Sequence, residues 1–181
     1  MIKLNFFRKV KNYSSMLNFF SGPAYNIVKI DFSENTVTFR VKNKAVLVKY
    51  NLSEAVSDEN VIDMLSPCEA CWLGGCFGQK IHSEENAFDR SKVKSAGFKN
   101  DCSQCKIIFQ NRKGEIGYID QKSKEEFVAS PVAIANNKYI VSKFSSSEAC
   151  YIGILAGVHV AKNKNARYSM SKSAKLRLVK N

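Results

Sequence analysis

The sequence predicts an α+β protein in which an antiparallel sheet of five to seven short strands is flanked by helices near both ends of the chain. Runs of Val, Ile and Phe alternate with short polar turns, which is typical of antiparallel strands. One stretch near each end places apolar or small residues at helical spacing. Four of the six cysteines form two CxxC pairs, which add a cysteine-rich site to this frame. The 181 residues fit one compact domain.

The first helix is predicted over residues 1–22, where the sequence contains no acid before Gly22-Pro23 stops it. Its apolar residues recur at helical spacing, with Lys and Arg between them: Phe6, Val10, Tyr13, Leu17 and Phe20. We predict a basic amphipathic helix. It could pack on the core, lie on a membrane surface, or act as an organellar targeting segment.

An α+β core is predicted over residues 23–160, beginning with a three-stranded meander. Its strand-like runs are residues 26–32, 36–41 and 45–50. Polar and apolar residues alternate along the second run, as in a strand with one buried face. A helix is predicted to follow, with Ser53 or Ser57 as its N-cap.

The later part of the core is predicted to hold a hairpin over residues 106–120, two further strands and a long helix. The further strands are residues 127–134 and 139–143. The helix spans residues 147–163, and its small residues recur every four positions, so that a neighbouring backbone can approach closely: Ala149, Gly153, Gly157 and Ala161. No internal repeat is apparent in the sequence.

The strongest chemical signal is the pairing of Cys68-Glu-Ala-Cys71 with Cys102-Ser-Gln-Cys105, in a predicted insertion at residues 66–105. Two intervening residues allow one tight turn to direct both thiolates at one ion, and two such turns complete the tetrahedral shell of zinc. Because no secretory signal is apparent, metal binding is favoured over disulfides, and we expect a reducing, cytoplasmic compartment. We therefore predict Cys68, Cys71, Cys102 and Cys105 as zinc ligands.

In these cysteines and the hairpin after them, the site resembles zinc-ribbon and treble-clef modules. The resemblance implies a zinc-stabilised fold of a kind often used to bind nucleic acid or protein. Cys76, five residues after Cys71, is an alternative ligand, and Cys150 is expected in the core. Between the pairs we predict a short helix with Ser83 as its N-cap and Gly97 past its end.

The same region also resembles the zinc-dependent cytidine deaminase superfamily, through the H-x-E element His82-Ser83-Glu84 and the following Cys102-Ser-Gln-Cys105. The resemblance implies that His82, Cys102 and Cys105 hold zinc and that Glu84 moves protons between the bound water and the base. Asp101 stands where that family has Pro. The deaminase is the alternative to a binding module.

The charge of the chain indicates an anionic partner. There are 28 Lys and Arg against 16 Asp and Glu, a formal net charge of +12, which favours nucleic acid or an acidic protein surface. Residues 161–181 form a predicted basic tail without acids, and its partner-binding candidates are Lys162, Lys164, Arg167, Lys172, Lys175 and Arg177. No apolar run is long enough to span a membrane. The sequence therefore predicts a zinc-stabilised basic binding module.

Overall fold

The computed structural model describes residues 24–83 and 103–163 and the backbone of residues 177–178. The first described part is a three-stranded antiparallel sheet followed by three helices. The strands are β1 (Tyr25–Asp31), β2 (Thr36–Val41) and β3 (Leu47–Asn51), paired in that order. The helices are α1 (Leu52–Ser57), α2 (Glu59–Asp63) and α3 (Pro67–Ser83).

The second described part has the same order of elements. The strands β4 (Cys105–Gln110), β5 (Ile116–Asp120) and β6 (Glu126–Ala129) form an antiparallel sheet, which gains a fourth strand from β7 (Arg177–Leu178). The helices are α4 (Pro131–Ala135), α5 (Lys138–Val141) and α6 (Ser146–Lys162). The α+β class is confirmed, with two small antiparallel sheets in place of the single predicted sheet.

The two parts are a structural repeat, which the sequence analysis missed. Corresponding elements begin 79 or 80 residues apart, from β1 and β4 to α3 and α6. Equivalent hydrogen bonds recur: the Tyr25 amide donates to the Met64 carbonyl and the Cys105 amide to the Lys143 carbonyl, both at 2.9 Å. Each sheet also has an irregularity at the same place, after Ile27 in β1 and after Ile107 in β4. We call residues 24–83 the first half and residues 103–163 the second half.

The long helices α3 and α6 join the two halves, and glycine residues let their backbones approach closely. A Cβ atom at Gly74 would overlap the carbonyl oxygen of Cys150 and lie 3.0 Å from its carbonyl carbon. The reverse holds at Gly153, where a Cβ atom would overlap the carbonyl oxygen of Cys71 and lie 2.8 Å from its carbonyl carbon. Backbone therefore packs directly on backbone, and the contact is reciprocal.

A second pair of glycines repeats this contact one turn further along. A Cβ atom at Gly78 would meet the carbonyl of Ile154, and one at Gly157 would meet the carbonyl of Gly75. Since later residues of α3 meet later residues of α6, the two helices run in the same direction. Because the contacts are reciprocal, an approximate two-fold axis relates α3 to α6. The close backbone approach predicted for the small residues of α6 is thus confirmed at Gly153 and Gly157.

Each half has its own hydrophobic core, and each core is completed from the other half. The first core includes Val37, Phe39 and Leu52, and α6 contributes Cys150 and Ile154 to it. The second core includes Ile116, Tyr118 and Ile134, and α3 contributes Cys71 to it. The helix pair is therefore part of both cores.

A buried carboxylate begins α6 and also binds the sheet. Ser145 and Glu148 form a capping box, in which the Ser145 hydroxyl accepts from the Glu148 amide at 3.1 Å. The Oε1 atom of the Glu148 carboxylate accepts from the Ile107 amide of β4 at 2.9 Å. In the first half Glu69 accepts from the Ile27 amide of β1 at 3.1 Å. A glutamate at the equivalent position of each half therefore links a long helix to an edge strand by a hydrogen bond.

Several predicted elements are confirmed and others are wrong. The strands in both halves up to residue 120 and the helix at 147–163 lie within two residues of their predicted bounds. The predicted strand at 127–134 ends at Ala129, because Ser130 caps α4 and Pro131 stands at its start. The predicted strand at 139–143 is instead α5, which Asn137 caps. The predicted helix at 1–22 lies outside the described residues.

We predict that Gly153→Ala destabilises the protein. Helix propensity alone would favour alanine by about 0.5–1 kcal/mol, but the new Cβ atom would overlap the Cys71 carbonyl oxygen. We expect the free energy of unfolding to fall by about 3 kcal/mol in urea denaturation, because the helices must separate. Gly114→Ala is the control: it lies in a turn with φ of 78° and open space around it, and should cost about 1 kcal/mol. A Gly153→Ala protein as stable as wild type would contradict the contact.

We also predict that Glu148→Ala costs more than Glu69→Ala. Glu148 is only 2% exposed, so its removal leaves the Ile107 amide without its partner in a dry site. We expect a loss of about 2–3 kcal/mol for Glu148→Ala, since bonds to a charged group count more than neutral ones. Glu69 is half-buried, and water can replace part of its role. Equal midpoints of thermal unfolding for the two variants would show that burial of the carboxylate does not determine the loss of stability.

Candidate nucleic-acid interface

Two of the four predicted zinc ligands lie on α3. Cys68 and Cys71 are three residues apart in a helix, which places them on neighbouring positions of one face. The Cys68 thiol donates to the Lys138 carbonyl at 3.7 Å, and Cys71 is buried in the second core. The pair was predicted in a tight turn, and the structure instead places it in the first turns of a long helix.

The third predicted ligand, Cys105, begins β4 and is also buried in the second core. Cys102 lies outside the described residues. Within residues 24–83 and 103–163, no three His, Cys, Asp or Glu side chains form a group that could hold a metal ion. The structure therefore does not show the embedded zinc site, and the four-cysteine set stays a prediction.

Burial keeps these thiols protonated. It raises the pKa of Cys71 to about 12. Burial, with a smaller effect of the nearby Asp120 carboxylate, raises the pKa of Cys105 to about 11. Cys76, the alternative ligand, has a pKa raised to about 11 by burial. Zinc binds the thiolate, so a metal would have to displace these protons.

The deaminase alternative predicted that His82 and Glu84 open a helix. The structure places His82 and Ser83 in the last described turn of α3, so Ser83 is a residue within a helix and not the predicted N-cap. The helix continues past Gly74, Gly75 and Gly78 because these glycines pack against α6. Glu84 lies outside the described residues, so its predicted catalytic role stays a prediction.

The predicted basic tail is joined to the second sheet. Lys162 is exposed at the end of α6, and Arg177 lies in β7, where it pairs with Val128 of β6. The remaining candidates lie outside the described residues: Lys164, Arg167, Lys172 and Lys175. Within the tail, the described residues Arg177 and Leu178 form the fourth strand of this sheet.

Most of the excess of basic over acidic residues lies outside the two halves. Residues 1–23 and 164–181 contain ten Lys and Arg and no acid, whereas the two halves together contain 14 basic and 12 acidic residues. The two halves together are therefore nearly neutral. The end segments carry most of the surplus that attracts an anionic partner.

The outward faces of the two sheets differ in charge and shape. On the first sheet Lys29 pairs with Asp31 at 2.6 Å, and Lys49 pairs with Glu34. On the second sheet the exposed residues include Lys106 and Phe109 of β4. Phe109 is 44% exposed. The sequence analysis did not predict it, because β4 lacks the alternation that marks an outward face.

The helices described here do not include one with the length and hydrophobicity needed to cross a membrane. Comparison of the chain with family models, curated proteins and solved structures found no match.

The zinc prediction is tested by metal content. If Cys68, Cys71, Cys102 and Cys105 bind zinc, the protein purified without chelator should carry about one zinc per chain. A chelator should then lower the midpoint of thermal unfolding of the wild type and have no effect on Cys102→Ser, because structural zinc contributes folding free energy. Metal-free protein with the same midpoint in both conditions would contradict the prediction.

Proposed function

We propose that the protein is a basic binding module that contacts nucleic acid. The observation that carries this proposal is the distribution of charge along the chain: residues 1–23 and 164–181 contain ten basic residues and no acid, whereas the two halves are nearly neutral. Phosphate backbones attract such segments without regard to sequence, and they release counterions when lysine or arginine neutralises them. The two halves, fixed by their backbone contact, supply a rigid scaffold for the segments.

Nucleic acid is favoured over an acidic protein by the sheet that the tail joins. Its outward face combines exposed Lys106 with exposed Phe109, and positive charge beside an open aromatic ring suits phosphate and base together. In the corresponding row of the first sheet both lysines are paired, Lys29 with Asp31 and Lys49 with Glu34, and no aromatic ring lies beside them. Zinc stabilisation through the four cysteines is part of this proposal, and a zinc-dependent deaminase is the alternative.

The proposal predicts that the tail determines the salt dependence of binding. Changing Lys164, Arg167, Lys172 and Lys175 together to Gln should weaken nucleic-acid binding and flatten the plot of log affinity against log salt, since each lost phosphate contact removes roughly 0.7–0.9 of slope. Fluorescence anisotropy with labelled oligonucleotides over a salt series measures both effects.

A matched control removes the same charge from exposed turns of the folded body, by changing Lys42, Lys113, Lys122 and Lys124 to Gln. We expect the control to retain most of the slope. Equal losses in both variants would point to general charge attraction without a role for the tail. Absence of binding at low salt would reject nucleic acid in favour of an acidic protein partner.

A further inference from the structure

One row of residues crosses the whole second sheet on its outward face. Phe109 of β4 pairs with Gly117 of β5, Gly117 pairs with Val128 of β6, and Val128 pairs with Arg177 of β7. Directly paired residues share a face of the sheet. Tyr118, the neighbour of Gly117, is buried in the second core, so this row lies on the opposite, outward face. Arg177 occupies the last register position of the row.

Gly117 makes room for the Phe109 ring. A Cβ atom at Gly117 would overlap two atoms of the ring and lie 2.7 Å from Cδ1. The ring therefore packs directly on the backbone of β5, while Phe109 stays 44% exposed. An aromatic ring held against a sheet and open to solvent is a platform on which a base can stack.

The adjacent row carries the charge of this face. Lys106 of β4 pairs with Ile119 of β5, which pairs with Glu126 of β6. Lys106 is exposed, and no ion pair of its ammonium group is found among the described residues. Glu126 is the one acid in these two rows, and it lies away from Phe109, beyond Ile119. A phosphate beside the ring would thus meet Lys106 first.

The first sheet lacks this platform. Its equivalent row is Lys29, Thr38 and Lys49, in register across β1, β2 and β3. It contains no aromatic residue, and both of its lysines are in ion pairs with acids. The halves share a fold and differ at this surface, so the platform is a property of the second half.

We infer that the outward face of the second sheet binds single-stranded nucleic acid, with a base stacked on Phe109 and the backbone following Lys106 toward β7. This inference rests on the proposed function and specifies its substrate class. A single strand is required because stacking on a protein ring needs an unpaired base, whereas a duplex keeps its bases stacked on each other.

The test compares a single strand with a duplex. Anisotropy is measured with labelled oligothymidine of about 15 nucleotides, within the range of single-strand site sizes, and with a duplex of the same length. We expect tighter binding of the single strand. Phe109→Leu, which keeps an apolar side chain over Gly117, should weaken single-strand binding by about fivefold or more, because one base–aromatic stack is lost. Phe109→Trp should retain it.

Two further variants test whether the effect on binding is specific to the outward face of the second sheet. Phe32→Leu is the control, since Phe32 is 50% exposed at the end of β1 in the other half, and it should leave binding unchanged. Glu126→Gln should strengthen single-strand binding, because it removes the acid beside Ile119. Unfolding midpoints confirm that each variant is folded.

Different results separate the two proposals. Binding of single strand and duplex with equal affinity, or unchanged single-strand affinity in Phe109→Leu, would overturn the platform and leave the basic module standing. No binding to either oligonucleotide at low salt would overturn both.

Discussion

The close approach of α3 and α6 is the constraint on which the rest of the structure depends. Glycine at four positions lets carbonyl groups of one helix occupy the space that a side chain of the other would fill: Gly74, Gly78, Gly153 and Gly157. Dispersion contacts between two backbones are individually small, but they are numerous when no side chain separates them. The short distance also brings Cys150 and Ile154 into the first core and Cys71 into the second.

A glutamate in the first turn of each long helix positions the sheet of its half. Glu69 and Glu148 each begin a long helix and accept from an edge-strand amide, so the position of each sheet follows from the position of its helix. One amide of each edge strand, that of Ile27 or Ile107, is thereby satisfied within the chain. With both sheets fixed, the platform at Phe109 and the fourth strand β7 have a defined relation to each other.

Local patterns predicted most of the strands and the start of α6, because alternation, turn residues and the Ser145–Glu148 cap act over a few residues. They failed over α3, which contains three glycines and the Cys68-x-x-Cys71 pair, because that pair suggested a tight turn of a zinc site. Only packing against α6 makes those glycines favourable in a helix, and that contact is 79 residues away in the chain. The short match between Glu69–Gly74 and Glu148–Gly153 was the available signal for the repeat. Much of the predicted site stays a prediction, since Cys102, Glu84 and four tail residues lie outside the described parts, and no pattern in β4 marked Phe109.

The exchange of core residues between the halves has a consequence for folding. Neither half can exclude water from its interior until the other supplies its helix, so partial unfolding of one core exposes apolar surface in both. The halves should therefore lose structure together, in one cooperative transition, although each has its own sheet. A duplicated chain of this kind behaves as a dimer whose subunits cannot dissociate, and its stability is independent of protein concentration.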